Sequence, residues 1–220
     1  MSNSSQRLEQ VRGVIGRAAK RAGRSADDVT LIAVSKTHPV SAIEDLIAAG
    51  QRHFGENRVQ EAAAKWPQLR ERYDDLRLHL VGGLQSNKAE EAVDLFDVIH
   101  SLDRPTLVSA LAKAMDRRGR RPDCFVQVNI GDEPQKGGCA VADLPVLIEL
   151  ARGAALPIVG LMCIPPAEVE PAPYFALLAK LARRHDVASL SMGMSADYET
   201  AVMIGATHVR VGTALFGERE

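Results

Sequence analysis

Cysteine is scarce: Cys124, Cys139 and Cys163 are widely separated, with no C-x-x-C spacing, which argues against a disulfide framework or a zinc knuckle and predicts reduced thiols. An excess of charge of either sign is also missing. Lys plus Arg number 27 and Asp plus Glu 28, a net charge of −1, so no global field draws the chain to nucleic acid or to an anionic membrane. No stretch reaches the roughly 18 apolar residues of a membrane span. The opening MSNSSQRLEQVRGV is polar where a secretory signal carries its apolar run. The expectation is a cytoplasmic protein with neither a nucleic-acid nor a membrane partner.

Several chemical signatures are absent too. The histidines never take a spacing such as H-E-x-x-H, so no metal is expected. There is no G-x-x-x-x-G-K-[ST] loop and no G-x-S-x-G elbow, which removes simple nucleotide hydrolysis and the common serine-hydrolase reading.

What is present is a repeating unit. Of the 220 residues, 46% are hydrophobic, enough for one closed core, and no linker, low-complexity stretch or charge block divides them, so residues 1–220 are expected to form a single domain. Leu8, Val11, Val14, Ile15 and Ala18 recur at helical steps, predicting an amphipathic helix that Gly23 ends. VTLIAVS (29–35) then reads as a strand covered on both faces, as parallel strands are. Further strands are predicted at RHFG, LRLHLVG (76–82), FDVIHSL (96–102), DCFVQVNI (123–130), LPIVGLM (156–162), DVASLSM (186–192) and THVRVG (207–212). Helical patterns fall between most of them, at Val40–Ala49, Glu56–Arg72, Thr106–Arg118, Val141–Arg152, Tyr174–Arg184 and Ala196–Ile204. Eight strands alternating with helices predict an α/β fold, a (β/α)8 TIM-type barrel with one extra N-terminal helix. The alternative, an open doubly wound sheet, usually has five or six strands and a G-x-G-x-x-G turn after the first, which is missing here.

In such a barrel, chemistry sits where strands end. Lys36 closes the first strand with the parity of Ile32 and Val34, so its amine could enter the barrel mouth, where desolvation makes it nucleophilic toward an aldehyde. The plainer reading is a solvated lysine. In the last strand Arg210 lies between Val209 and Val211, expected to face inward while the valines face helices; it needs an anion, or else an internal carboxylate. Gly212 and Thr213 follow at the usual phosphate corner, joined by Ser191 and Ser195, although Ser195 could simply cap its helix. Glu56, Asn57, His79, His100, Asp103 and Asn129 are the other polar strand ends, with His79 and His100 as candidates for the lining. Pro165, Pro166, Pro171 and Pro173 stiffen a loop that could rim the site.

LIAVSKTHP, FGENRVQE, HLVGGLQSNK, IHSLDR, VNIGDEPQKGG, GLMCIPP, LSMGMS and VRVGTALFGER, in this order and spacing, make the sequence resemble the pyridoxal 5′-phosphate homeostasis protein family, whose fold is the alanine racemase N-terminal barrel. The resemblance implies that Lys36 holds the cofactor, pyridoxal 5′-phosphate, as an internal aldimine. It implies that Arg210 approaches the pyridine nitrogen and that Ser195, Gly212 and Thr213 hold the phosphate. Ser191 matches the loop residue beside them, Asn57 the Asn of a G-E-N motif, and Lys136 a second lysine in a K-x-G loop. The chain departs from the family pattern at Gln135, commonly Ser, and at Gly83, often Pro or Lys.

The same resemblance admits a pyridoxal-phosphate-dependent amino-acid racemase as the alternative. A racemase needs a base on each face of the substrate Cα, and Lys36 is only one. In alanine racemases the second is a tyrosine from a further C-terminal domain of the partner subunit; no such domain is expected beyond Glu220, and Tyr73, Tyr174 and Tyr198 are expected on outer helices or just inside one. The expectation is a non-catalytic protein that buffers or delivers the cofactor, meets apo-enzymes transiently and is a monomer. A Schiff-base aldolase acting on a sugar phosphate is a third reading of the same lysine and phosphate corner.

Overall fold

The computed structural model describes residues 3–217. The predicted apolar runs become short strands: β1 (Thr30–Val34), β2 (His53–Glu56), β3 (Arg77–Leu80), β4 (Val98–Leu102), β5 (Asp123–Val128), β6 (Ile158–Cys163), β7 (Ser189–Ser191) and β8 (His208–Val211). Each pairs in parallel with its sequence neighbours, and β8 returns to β1 through Ile32↔Arg210 and Ala33↔Val211, which closes the barrel and excludes the open sheet.

The helices are α1 (Asn3–Arg21), α2 (Val40–Ala48), α3 (Val59–Arg72), α4 (Ala89–Leu95), α5 (Pro105–Arg118), α6 (Leu144–Gly153), α7 (Ala172–Arg184), α8 (Tyr198–Ile204) and α9 (Thr213–Phe216). The extra helix α1 buries Leu8, Val11, Ile15 and Ala18 against α2, α8 and α9. Each larger side chain of that stripe contributes about 1.5–3 kcal/mol. Glu56 belongs to β2 rather than to the helix read from sequence, because its carboxylate is fully buried against Trp66 of α3. α4 escaped the sequence reading, since seven residues hold too few turns for a helical period to emerge.

Strand parity sorts the core. Leu31, Ala33, Phe54, Leu78, Leu80, Val209 and Val211 join the main cluster beneath the helices. Inside the barrel, Val98, Phe125 and Met162 form a separate apolar cluster. Gly160 makes room there, because a Cβ would stand 2.7 Å from the Phe125 ring. The three cysteines are free and buried, and burial pushes their thiols up to about 12. Among the described residues no helix is long and apolar enough to cross a membrane.

Candidate functional site

A cleft of about 350 Å³ opens at the C-terminal ends of β1, β2 and β8. Lys36, Asn57, Ser195, Arg210, Gly212 and Thr213, all singled out from sequence, line it together. Its remaining walls include His38, Val81, Ile164 and Met194, which carry no chemical signal in sequence because they enter only through loop packing. His38 stacks on Phe216 with ring centroids 4.4 Å apart, closing one side.

Lys36 sits half-buried on a braced backbone. Before it, Ser35 Oγ donates to Glu56 Oε1 at 2.8 Å and the Ser35 carbonyl accepts from Lys65 Nζ at 3.1 Å. After it, the Thr37 N–H donates to Glu61 Oε1 at 2.5 Å, and Thr37 has a φ of 65°, a left-handed conformation costly for a β-branched residue. Lys65 also pairs with Glu56 at 2.7 Å and Glu61 at 2.9 Å, so α3 holds both sides of the lysine. Sequence reasoning missed Glu61 and Lys65: they are ordinary helix-face charges until the fold brings them to β1.

Across the cleft, Ser195 Oγ accepts from the N–H groups of Gly212 at 3.3 Å and Ala214 at 3.5 Å. It does not cap α8, the helix that follows it in sequence. α8 begins later than predicted, with Asp197 at its N-cap position, and Asp197 Oδ1 accepts from the Met194 N–H at 2.6 Å.

Arg210 rises from the barrel interior at 5% exposure. Its Nη1 donates to Ser191 Oγ at 2.6 Å and its Nη2 to the Cys163 carbonyl at 2.9 Å, with no carboxylate partner among the described residues. Burial lowers its pKa, against weaker support from Cys163 and Asp197. Ser191 is fully buried beneath Arg210 and does not face the cleft. His79 and His100 are also buried below it and do not line it.

Lys136 stands outside the lining, paired with Glu133 at 2.6 Å and donating to the Pro165 carbonyl at 2.9 Å, which ties the loop after β5 to the proline loop after β6. Asp103 pairs with Arg104, and Asn129 braces the turn at Glu133. None of Tyr73, Tyr174 and Tyr198 faces the cleft.

An amine, a guanidinium, hydroxyls and backbone N–H groups therefore converge, and the described lining residues include no carboxylate. This donor set suits an anionic ligand with an electrophilic carbonyl. Among the described residues no three His, Cys, Asp or Glu side chains group as metal ligands.

Residues 8–220 match the family described as alanine racemase, N-terminal domain. Over the whole chain, the sequence is 40% identical to the pyridoxal phosphate homeostasis protein of Escherichia coli, covering 98% of that protein. The chain belongs to the pyridoxal phosphate homeostasis protein family. A solved structure of the Synechococcus elongatus protein PipY, described as having PLP bound, aligns with a TM-score of 0.82 and 41% identity, covering 98% of this chain and 100% of that one. The barrel of this chain is also similar to that of the alanine racemase of Clostridium difficile, at a TM-score of 0.70 and 14% identity over 94% of this chain and 56% of that one, a likeness of fold alone.

Proposed function

We propose that this protein binds pyridoxal 5′-phosphate and serves its intracellular homeostasis, buffering or delivering the cofactor without turning over amino acids. The observation that carries this reading is the single cleft shared by Lys36, Arg210 and the Ser195–Gly212–Thr213 corner. Names and coverage of the relatives at about 40% identity support it.

In this reading Lys36 is the covalent anchor for the aldehyde. Ser195, Gly212 and Thr213 hold the phosphate, and Asn57 borders the ring. Arg210, which cannot give up its proton, serves the ring nitrogen and keeps it unprotonated, with Ser191 acting through it. The bound cofactor supplies an electrophilic carbon able to exchange amines, and with an unprotonated ring it is a weak electron sink. The absence of a tyrosine facing the cleft in the described residues supports a carrier over a racemase. We place the protein in the cytoplasm as a monomer, its chain one cofactor-binding unit that meets apo-enzymes transiently.

Borohydride reduction of the loaded protein followed by peptide mapping tests the anchor: the pyridoxyl group is expected on Lys36, and label mainly on Lys136 or Lys88 refutes it. Solvent-deuterium incorporation at amino-acid Cα with chiral analysis tests the carrier. Inversion at the roughly 1–10³ s⁻¹ of ordinary enzymes, lost in Lys36→Ala, would make the protein a racemase.

A further inference from the structure

An unbroken line of hydrogen-bonding side chains runs inside the barrel from the floor of the cleft to the opposite mouth. Arg210 Nη1 lies 2.6 Å from Ser191 Oγ, and Ser191 Oγ lies 2.9 Å from His100 Nδ1. His100 Nε2 is 3.0 Å from His79 Nδ1, and His79 Nε2 is 3.0 Å from His53 Nδ1. The links cross β8, β7, β4, β3 and β2 in turn. Ser191, His79 and His100 are buried, and half-buried His53 lines a second recess, of about 480 Å³, together with Arg12, Gln51 and Arg52.

The direction of every bond follows from one end. A guanidinium has no acceptor, so Ser191 Oγ accepts from Arg210. The Ser191 hydroxyl then keeps a partner by donating to His100 Nδ1; any other arrangement strands a buried O–H. His100 is thus neutral with its proton on Nε2, donating to His79 Nδ1. His79 in turn donates from Nε2 to His53 Nδ1. All three rings carry the same tautomer, and His53 turns its own Nε2–H toward the recess.

We propose that His100, His79 and His53 are positioning residues for Arg210, a chain of neutral Nε2–H imidazoles that keeps Ser191 an acceptor and so holds the guanidinium on the floor of the cleft. For its effect on the cofactor, this rests on the function proposed above. The surroundings favour neutral rings. Burial first, then charge repulsion, holds His79 and His100 well below the ordinary imidazole range: Arg77 faces His79 and Arg210 faces His100, and a charged His53, His79 or His208 would oppose a second charge beside it. His53 is lowered by burial and Arg77, opposed only by Asp97. Phe125 covers His100, stacked at 4.4 Å. A second proton on His53 would occupy Nδ1, and its contact with His79 would survive only if His79 and His100 both moved their protons to Nδ1. Ser191 would then accept from both sides, and its hydroxyl would lose its partner. Acid at the far mouth therefore reaches Arg210.

The test is ¹⁵N NMR of the imidazole rings in the cofactor-free protein near neutral pH. Neutral Nε2–H forms at His53, His79 and His100 are expected; an Nδ1–H form or a charged ring at any of them overturns the inference. In His79→Phe, His100 should keep its Nε2–H form, because Ser191 still donates to Nδ1, but that N–H loses its acceptor and pyridoxal 5′-phosphate should bind about three- to tenfold more weakly, as expected for one disturbed charge-assisted bond. His79→Gln, which keeps one donor and one acceptor, should recover most of the loss. If His79→Phe does not fold, Ser191→Ala, which removes the donor that orders the line, should turn His100 into a mixture of tautomers. A His100 that moves its proton to Nδ1 in His79→Phe, or that keeps a single tautomer in Ser191→Ala, refutes the relay. Because the tautomers are read without cofactor, a wild-type chain that takes up no pyridoxal 5′-phosphate would refute the proposed function, whereas the tautomers alone decide the relay.

Discussion

The backbone N–H of Thr37 donates to Glu61 Oε1 at 2.5 Å, and this bond from β1's end to α3 fixes a residue held at φ 65° immediately after Lys36. Burial works to raise the Glu61 pKa, but hydrogen bonds from Lys65 and Thr37 outweigh it and hold the carboxylate below its ordinary value. Glu61→Ala should release the strained turn and let Lys36 wander. About 1 kcal/mol of stability should be lost, with cofactor affinity down about three- to tenfold and the fold intact. Thermal unfolding and spectroscopic titration check both; an unchanged affinity would show that the brace does not position Lys36.

Arg210→Gln is expected to act on stability as well as on the cofactor. The shorter side chain gives up its bonds to the Cys163 carbonyl and to Ser191 Oγ, which keeps His100, at a cost of about 1–3 kcal/mol inside the barrel. Cofactor should still bind, because Lys36 and the Ser195 corner remain, with an altered absorption maximum. Complete loss of binding in a folded variant would move Arg210 to the phosphate.

Two adjacent glycines should respond in opposite ways. A Cβ on Gly82 would stand 2.3 Å from the Asn57 carbonyl oxygen, so Gly82→Ala must displace the backbone of a residue that lines the cleft. Gly83 has open space around its Cβ position, so a side chain there meets no neighbour. Gly82→Ala should lose about 1–3 kcal/mol and weaken cofactor binding, and Gly83→Ala should change neither. Equal effects in urea unfolding would refute the contrast.

The buried histidines set an acid limit. Burial, His53 and Arg210 push His208 from 6.5 down to about 4, and His79 and His100 are lowered too. A base whose folded pKa is depressed binds fewer protons folded than unfolded, so its stability is complete above about pH 7 and falls as pH drops through 6.5 toward 4. For His208 alone, about 1.4 kcal/mol per pH unit over that window amounts to about 3 kcal/mol by pH 4. Urea unfolding at pH 7.5, 6 and 5 should show this slope, and His208→Gln should flatten it; a flat wild-type profile would overturn the reading.

Local pattern in the sequence determined the alternation of strands and helices, the inward parity of Lys36 and Arg210, and the small-residue corner after β8, because a two-residue period and a Gly-Thr turn are set by neighbours in the chain. Tertiary structure alone decided the rest. Ser195 reads as a cap until β8 brings the N–H groups of Gly212 and Ala214 to its hydroxyl. Ser191 reads as a site residue until Arg210 covers it, and Glu61 and Lys65 read as solvated charges until α3 packs on β1. His100 and Ser191 are 91 residues apart, and no period within one strand records which ring of another it will meet; closure of the barrel sets that distance.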